Sequence, residues 1–392
     1  MKQMVNFIRP RWALMIILMS GSLFFGTAPC YPQSDSIPPP AKSKFAEFLN
    51  NFELTVYVDA YYNRLINKPA GDTANILNFA SDCPFANEFR LNVASLWLYY
   101  SSKNARGKLE LQYGDVPNLL TDPSVQFIKY MKRAEFGFRI YKTLWIDLGY
   151  QYNPIGYESS FPIRNQLSTV TVGGYYEVGN FLGVKLSSQI SPSFFLGAYL
   201  GNPYTLAYGH NKRLFAGLFM TYTYKSLLSI NYNNLMGSSD LATEEKDHMG
   251  IYNNVYVTVN PVNNLLLVGQ CDFGWVTNKG VPDTTKTASG VSGFLQVTYQ
   301  FTKWFAASLR GEYFNDPDAL MSTLYAYDGK LRGLLTYGGT VGVEFKPIKN
   351  SYIRAEYTYL TADQGNLVFS GNLSQDRNTL TFTAGYKFGF FH

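Results

Sequence analysis

Residues 378–390 read NTLTFTAGYKFGF, and this stretch decides the fold of the chain. Apolar and polar side chains alternate along it one by one. One face carries Leu380, Phe382, Ala384, Tyr386, Phe388 and Phe390, while the other carries threonines, glycines and Lys387. A period of two residues is that of a β-strand, so the stretch predicts a strand with one apolar face and one wet face.

The same alternation recurs along most of the chain. Each segment has about the length that a tilted strand needs to cross a lipid bilayer. Because a few segments alternate less regularly, we expect a total between about 14 and 18 strands. The pattern predicts sixteen, near 53–63, 88–101, 107–115, 132–141, 144–153, 181–190, 193–202, 213–224, 226–236, 250–260, 264–275, 290–300, 303–314, 335–346, 351–361 and 378–390.

The connections between these strands alternate in length. Those after odd-numbered strands are long, whereas those after even-numbered strands are as short as Lys142-Thr143 or Ser191-Pro192. Long outside loops and short periplasmic turns are typical of outer-membrane barrels. In hydrocarbon every backbone N–H and C=O needs a partner within the protein, and a closed sheet leaves no edge unpaired. The sequence therefore predicts an all-β fold, a transmembrane antiparallel up-and-down β-barrel of about 16 strands.

Composition agrees with such a barrel. Aromatic residues make up 17% of the chain and charged residues only 16%, whereas soluble domains carry about 25% charged residues. The mean hydropathy of −0.12 is too low for a bundle of transmembrane helices. The formal net charge is +5, but no basic run or basic helix face accompanies it, so nucleic acid is not expected as a partner.

The N-terminal segment has the features of a secretory signal peptide. Lys2, Arg9 and Arg11 precede the apolar run 12–25, and small residues follow it. A single-pass anchor is the alternative, but the run is short and is broken by 20–22 (SGS). Cys30 raises the alternative of a lipoprotein, although Thr27-Ala28-Pro29 is a poor approach to a lipidated cysteine. We expect a signal peptide at 1–30, a Pro/Ser-rich periplasmic linker at 31–52 and the barrel at 53–392.

Two short motifs resemble a known family. The first strand contains YVDAYY at 57–62, and the fifth ends in NPIGYE at 153–158. These segments resemble the β-barrel porin-2 (OmpL-like) family of outer-membrane proteins, loosely over the whole barrel. The resemblance implies an outer-membrane channel without a settled substrate. Phe195, Phe215 and Phe219 depart from the polar lumen of that family, because the alternation points them inward.

If the apolar faces contact lipid, the opposite faces line a lumen. Basic and acidic positions on those faces are nearly balanced, which favours a weakly selective, polar pore over a ring of one sign. The basic positions are Arg90, Lys108, Arg139, Lys185, Arg310, Lys346, Arg354 and Lys387, and the acidic ones are Glu53, Asp59, Glu110, Glu135, Asp147, Asp272, Glu312, Glu344 and Glu356.

The third long connection, 154–180, is the candidate constriction. In sixteen-stranded porins the corresponding loop folds into the barrel and sets the aperture. Here it carries Glu158, Arg164 and Glu177 together with several aromatic residues. Charges on such a loop that face a basic wall would create a transverse field, which favours small polar solutes over apolar ones. An exposed cap loop is the alternative, and a preference for saccharides would rest on analogy alone.

The residues that enzymes and metal sites need are scarce. The chain has three histidines, His210, His248 and His392, with no acidic–serine arrangement near them. We therefore expect no catalytic residue, no metal site and no cofactor. Cys83 lies in a predicted loop and Cys271 in a predicted strand, so a disulfide between them is not expected.

The sequence thus predicts an outer-membrane porin of a Gram-negative bacterium, a water-filled, weakly selective channel for passive diffusion of small polar solutes or ions. The alternative is a closed barrel with a structural or surface-adhesion role. Expected partners are outer-membrane lipid and the barrel-assembly machinery, because the aromatic end 388–391 (FGFF) resembles its recognition signal. A homotrimer follows only by analogy with sixteen-stranded porins.

Overall fold

We describe the protein from a computed structural model. The structure describes residues 48–68, 75–80, 82–120, 128–177, 179–203, 214–238, 249–277, 285–327, 330–363, 367–370 and 373–390. The predicted signal peptide, most of the predicted linker, His210, His248 and His392 lie outside these ranges. None of the described helices is long and apolar enough to cross a membrane.

Within the described ranges, sixteen strands form one closed antiparallel barrel. The predicted fold class is therefore confirmed, and each predicted strand is found with its ends shifted by a few residues. The barrel strands are β1 (Phe52–Leu65), β2 (Phe89–Ser101), β3 (Ala105–Tyr113), β4 (Met131–Tyr141), β5 (Leu144–Tyr152), β6 (Asn180–Ser191), β7 (Phe194–Pro203), β8 (Phe215–Tyr224), β9 (Leu228–Ser238), β10 (Met249–Val262), β11 (Leu265–Val276), β12 (Ala288–Thr302), β13 (Phe305–Asn315), β16 (Leu335–Phe345), β17 (Ser351–Ala362) and β18 (Asp376–Phe390). Two further short strands, β14 (Tyr325–Tyr327) and β15 (Lys330–Arg332), pair with each other in the connection between β13 and β16.

The barrel closes between its first and last strands. β1 pairs with β18 over its whole length, from Leu54 opposite Phe390 to Leu65 opposite Thr379. All other pairs join barrel strands that follow one another along the chain, with only the small β14–β15 sheet intervening between β13 and β16, which is an up-and-down topology. Closure pairs the two strands that would otherwise be edges, so the backbone hydrogen bonds are satisfied around the whole circumference.

The alternation of side chains places apolar groups outside and polar groups inside. On β12, Leu295 is 74% exposed and Val297 43%, whereas Gln296 between them is 4% exposed. On β18, Phe382 and Tyr386 are exposed, while Thr381 and Thr383 are buried. The outer surface is thus an apolar band suited to lipid, and the inner face carries the polar residues.

The predicted alternation of connections is also present. The connections after the odd-numbered strands up to β13 are long, and so is the one between β17 and β18. The others are turns of two to five residues, such as 142–143 and 192–193. All the long connections therefore lie at one end of the barrel, here called the long-loop end, and all the turns at the other, the short-turn end.

Glycines and aromatic rings fit together on the inner face of β7 and β8. Tyr199 lies opposite Gly217, and Phe219 lies opposite Gly197. A Cβ atom on Gly217 would come within 2.3 Å of the Tyr199 ring, and one on Gly197 would come within 2.1 Å of the Phe219 ring. Each ring therefore lies on a glycine of the neighbouring strand. Phe181 and Phe215 complete this buried cluster, against which Phe195 packs, so the three inward phenylalanines of the sequence pattern meet on one wall.

Replacing the glycine beneath Tyr199 should destabilise the barrel. We expect Gly217→Ala to lower the free energy of unfolding by about 1–3 kcal/mol, because the new methyl group overpacks against the ring and the Asn234 carbonyl. Gly311→Ala is the matched control, since a Cβ there meets no heavy atom within 4 Å, and we expect a change within about 0.5 kcal/mol. Urea unfolding followed by tryptophan fluorescence measures both, and equal stabilities for the two variants would contradict the packing described here.

Candidate functional site

The third long connection lies inside the barrel. It runs from the end of β5 at Tyr152 to the start of β6 at Asn180, and we call residues 153–179 the inner loop. It contains a single turn of 3-10 helix at Pro162–Arg164 and a short helix at Val172–Tyr176. Side chains of strands on both sides of the barrel bind its backbone. Inward folding of this loop, rather than an exposed cap, is therefore what the structure shows.

An ion pair joins the inner loop to β13. Nη1 of Arg310 donates to Oε1 of Glu158 at 2.7 Å and to the Thr169 carbonyl at 2.6 Å. The other carboxylate oxygen of Glu158 accepts from the backbone N–H and the hydroxyl of Thr171. Arg310 is only 1% exposed, so both charges are removed from water and depend on each other.

A second arginine joins the loop to β17. Arg354 donates to the carbonyl oxygens of Pro162 at 2.9 Å and Asn165 at 2.6 Å. It is also paired with Glu344 on β16 at 2.7 Å. Backbone carbonyls at one end of this guanidinium and a carboxylate at the other satisfy its fixed fork of donors.

Two wall carboxylates accept hydrogen bonds from the loop backbone. Glu356 on β17 accepts from the N–H groups of Ser168 at 2.5 Å and Thr169 at 3.0 Å. Glu312 on β13 accepts from the N–H of Val172 at 2.7 Å. Hydrogen bonds of this kind stabilise a buried carboxylate, so these acidic groups hold the loop and do not face open lumen.

The loop also binds the β10 and β11 side. The N–H of Gly156 donates to Asn254 at 3.1 Å, and that of Tyr157 donates to Gln270 at 2.8 Å. The Glu177 carboxylate accepts from the Gln270 amide. Burial, reinforced by the nearby charges of Asp272 and Glu158, raises the pKa of Glu177 well above its ordinary value. Burial likewise raises the pKa of Tyr157, to about 12.

At β1 and β2 the contact is aromatic. Phe161 of the inner loop packs against Tyr57 and Trp97, with ring centroids 6.0 and 5.1 Å away. The Tyr57 hydroxyl accepts from the N–H of Ile163 and lies 2.8 Å from the Tyr352 hydroxyl. The Asp59 carboxylate accepts hydrogen bonds from the Tyr352 hydroxyl and from the Asn92 amide. β1 and β10 lie seven strands apart around the barrel, so the loop crosses the lumen.

Apolar side chains of four long connections pack together above β13, β17 and the inner loop. The buried cluster joins Val172 of the inner loop to side chains of the connections after β1, β13 and β17, and Tyr175 and Tyr176 pack against it. Its other buried members are Phe79, Phe314, Leu334, Leu360, Ala362, Val368 and Phe369. We call this group the long-loop cluster. It covers the part of the barrel to which the inner loop is bound.

The inner loop leaves a different environment on the β3–β6 side. Its Arg164 is 37% exposed at the side chain and lies 4.0 Å from Glu110, whose carboxylate accepts from the Tyr99 and Tyr152 hydroxyls. Glu135 on β4 contacts Arg133 at 2.5 Å and Lys185 at 3.6 Å. Glu110 and Glu135 are buried, whereas the cations around them are partly accessible on the inner face of the barrel.

The remaining predicted wall residues lie towards the two ends and beside β2. Arg90 pairs with Asp115 at 2.6 Å at the long-loop end. Arg139 donates to Asn104 at the short-turn end. Lys387 lies over the Trp97 ring, 5.9 Å from its centroid. The function of each predicted site residue stays a proposal.

Sequence reasoning missed three cations of the inner face. Arg106 was placed in a turn, but β3 begins at Ala105, and Arg106 reaches across β4 to Asp147 at 2.6 Å. The absence of a side chain at Gly137 on β4 leaves room for this ion pair, since a Cβ there would lie 2.1 Å from the Asp147 carboxylate. Lys132 and Arg133 are consecutive, yet both lie over the Tyr152 ring, because the register shifts between β3 and β4 there. A bulge of this kind redirects a side chain and leaves no mark in the alternation.

The described residues contain no group of three or more histidine, cysteine or acidic side chains arranged to hold a metal ion. Cys83 and Cys271 are both free thiols. The polar groups of the interior that are described above surround the inner loop.

The family model described as "Putative beta-barrel porin-2, OmpL-like" matches residues 51–388. The chain belongs to this family. The resemblance found in 57–62 and 153–158 is thereby confirmed. The protein is a porin-type barrel, and its family and fold are those of outer-membrane proteins of Gram-negative bacteria. No curated protein shows a significant sequence match.

Solved structures share the fold at low identity. OmpF of Salmonella typhi, in complex with daunomycin, is 12% identical, with a TM-score of 0.59 over 87% of this chain and 98% of that one. The trimer form of OmpT of Vibrio cholerae is 13% identical, with a TM-score of 0.55 over 86% and 99%. An anion-selective porin of Comamonas acidovorans is 11% identical, with a TM-score of 0.54 over 86% and 98%. At such identities the likeness establishes the barrel and not the solute.

Removing the β13 anchor should strongly destabilise the protein. We expect Arg310→Met to lower the free energy of unfolding by about 3–5 kcal/mol, because Glu158 loses its buried counter-charge. Arg332→Met is the matched control, since its pair with Asp363 is about one-third exposed, and such pairs contribute about 0–1 kcal/mol. Urea unfolding of both variants measures the difference. A loss in Arg310→Met as small as that of the control would contradict the proposed anchor.

Proposed function

We propose that this porin forms a water-filled channel for the passive diffusion of small polar solutes. One observation carries the proposal: charged side chains are partly accessible on the inner face of the closed barrel. Arg164 is 37% exposed at the side chain, Arg106 30%, Lys185 14% and Arg133 12%. Charges in contact with neither protein partners nor water are very costly, so their exposed parts need water inside the barrel.

The inner loop acts as the constriction in this proposal. Glu158 and Glu177 bind it to the far wall, through Arg310 on β13 and Gln270 on β11. Arg164 lies at its opposite edge, beside Tyr99 of β2. We therefore infer that solutes pass between this edge and the wall formed by β2–β6. The acidic groups have a positioning role, and Arg164 borders the aperture.

A closed barrel with a structural or surface-adhesion role is the second candidate. The long-loop cluster favours it, because buried apolar side chains cover one part of the long-loop end. The aromatic cluster on the inner face of β6–β8 also occupies lumen volume. Neither cluster includes the charged wall of β3–β6, and for that reason the channel is the better supported function.

The remaining expectations belong to the same proposal. We propose export through the signal peptide at 1–30, removal of that segment, and insertion by the barrel-assembly machinery. Diffusion through a pore needs no catalytic group and no cofactor, so we propose that the protein is not an enzyme. Detection of the mature N-terminus in outer-membrane fractions by peptide mass spectrometry tests the export step, and an intact N-terminus at residue 1 would contradict it.

Single-channel recording tests the channel directly. We expect stable ohmic steps from the refolded protein in a planar bilayer, and larger steps after residues 157–177 are replaced by a short Gly-Ser linker, because the constriction is then absent. Heat-shifted mobility on a gel shows that each variant is folded. Folded protein without conductance would overturn the proposal and leave the closed barrel.

We also propose a homotrimer, which the trimer form of the related OmpT structure supports. The apolar outer band of the barrel is compatible with either lipid or another subunit. Chemical cross-linking in native membranes, followed by denaturing gels, should then give a ladder that ends at three subunits. A ladder absent at every cross-linker concentration would indicate a monomer.

A further inference from the structure

The charges inside this barrel are not distributed evenly. The sequence has nearly equal numbers of basic and acidic residues on the inner strand faces. The structure separates them by what they contact, because the inner loop binds one part of the wall and leaves another part beside the aperture. The charge that a passing solute meets is that of the wall beside the aperture.

On the bound side, the charged groups are buried and are bound either to one another or to the backbone of the inner loop. Glu158 is paired with Arg310, and Glu344 with Arg354. Glu356 and Glu312 accept hydrogen bonds from loop N–H groups. Each of these side chains is at most about a tenth exposed, so this side presents little charge to a passing solute.

On the aperture side, positive charge is in excess. In the described part of the β3–β6 wall and the facing edge of the inner loop, six cations meet three carboxylates, in addition to Arg139 of β4, which lies at the short-turn end. The cations, which we call the basic column, are Arg106, Lys108, Lys132, Arg133, Lys185 and Arg164, and the carboxylates are Glu110, Glu135 and Asp147.

Register places these cations at successive heights of the barrel. Arg106, Gly137, Asp147 and Lys185 form one row across β3 to β6. Lys108 lies in the next row, directly opposite Glu135. Arg133 follows opposite Glu110, near the tip of the inner loop. The basic column therefore runs from the constriction towards the short-turn end.

Among the described residues, Lys108 forms no ion pair with a carboxylate at salt-bridge distance. Glu135 faces it across the strands but makes its contacts to Arg133 and Lys185. The contact found for the Lys108 ammonium among the described residues is the face of the Tyr99 ring, 5.7 Å from the centroid. Three cations thus surround one carboxylate, and like charges so close together attract an anion from solution.

We infer that the channel selects for anions, with Lys108, Arg133 and Lys185 forming a binding site for the oxyanion of a small carboxylate or phosphate. This inference rests on the proposed channel and replaces its weak selectivity with a preference. An ammonium and a guanidinium together offer both a point charge and a planar fork of donors to such a group. Cations of the bulk solution are repelled by the same column.

The reversal potential in a potassium chloride gradient tests the inference. We expect chloride to permeate at least about threefold better than potassium, because a focused positive field raises the local anion concentration. Lys108→Gln combined with Lys185→Gln should move the permeability ratio close to one, and Lys108→Glu should move it further towards potassium. Lys225→Gln, in the turn between β8 and β9, removes the same charge away from the lumen and should leave the ratio unchanged.

Two added anions separate the classes of solute. Inorganic phosphate and acetate are each added to the chloride solution, and reduction of the chloride current reports occupation of the site. Stronger block by phosphate indicates a phosphate site, and equal block indicates a general oxyanion site; both support the inference if Lys108→Gln weakens them. Conductance without anion preference would overturn this inference and leave the channel standing, whereas no conductance from folded protein would overturn the channel as well.

Discussion

The unmet hydrogen-bonding capacity of a backbone in hydrocarbon is the constraint on which the rest of this structure depends. Each strand satisfies its N–H and C=O groups only through its two neighbours, so the sheet must close, as it does between β1 and β18. Closure in turn fixes which side chains face lipid and which face inward. The circumference of sixteen strands leaves an interior that must be filled with water, with chain, or with both.

In this protein, part of the interior is filled with chain. An inserted loop brings its own unpaired backbone groups, and the inner wall supplies partners for them in the form of Glu356, Glu312, Arg310 and Arg354. The buried charged side chains are therefore stabilised by the loop backbone, and the position of the loop is fixed by those side chains. Within the part of the chain that the structure describes, the cations of β3, β4 and β6 have no such partner in the loop backbone, and we therefore propose them as the charges available to solutes.

The strands and the order of their connections could be predicted from the sequence, because alternation and loop length are local properties. The inward position of the charged residues followed from the same period. Lys132 could not be placed, since a bulge changes the register without changing the composition. Arg106 was missed because the turn before β3 is shorter than predicted. The pairing of the charges could not be predicted either, because a pair such as Glu158 and Arg310 joins residues 152 positions apart, which no local pattern encodes.

The crossing of the lumen by the inner loop has a mechanical consequence. A cylinder made of a single sheet is stiff along its strands and soft towards flattening, because flattening only bends the sheet between neighbouring strands. The inner loop is covalently continuous with β5 and β6 and is attached to β1, β10, β13 and β17. We therefore expect it to act as a cross-brace that resists flattening of the barrel under lateral pressure from the surrounding lipid.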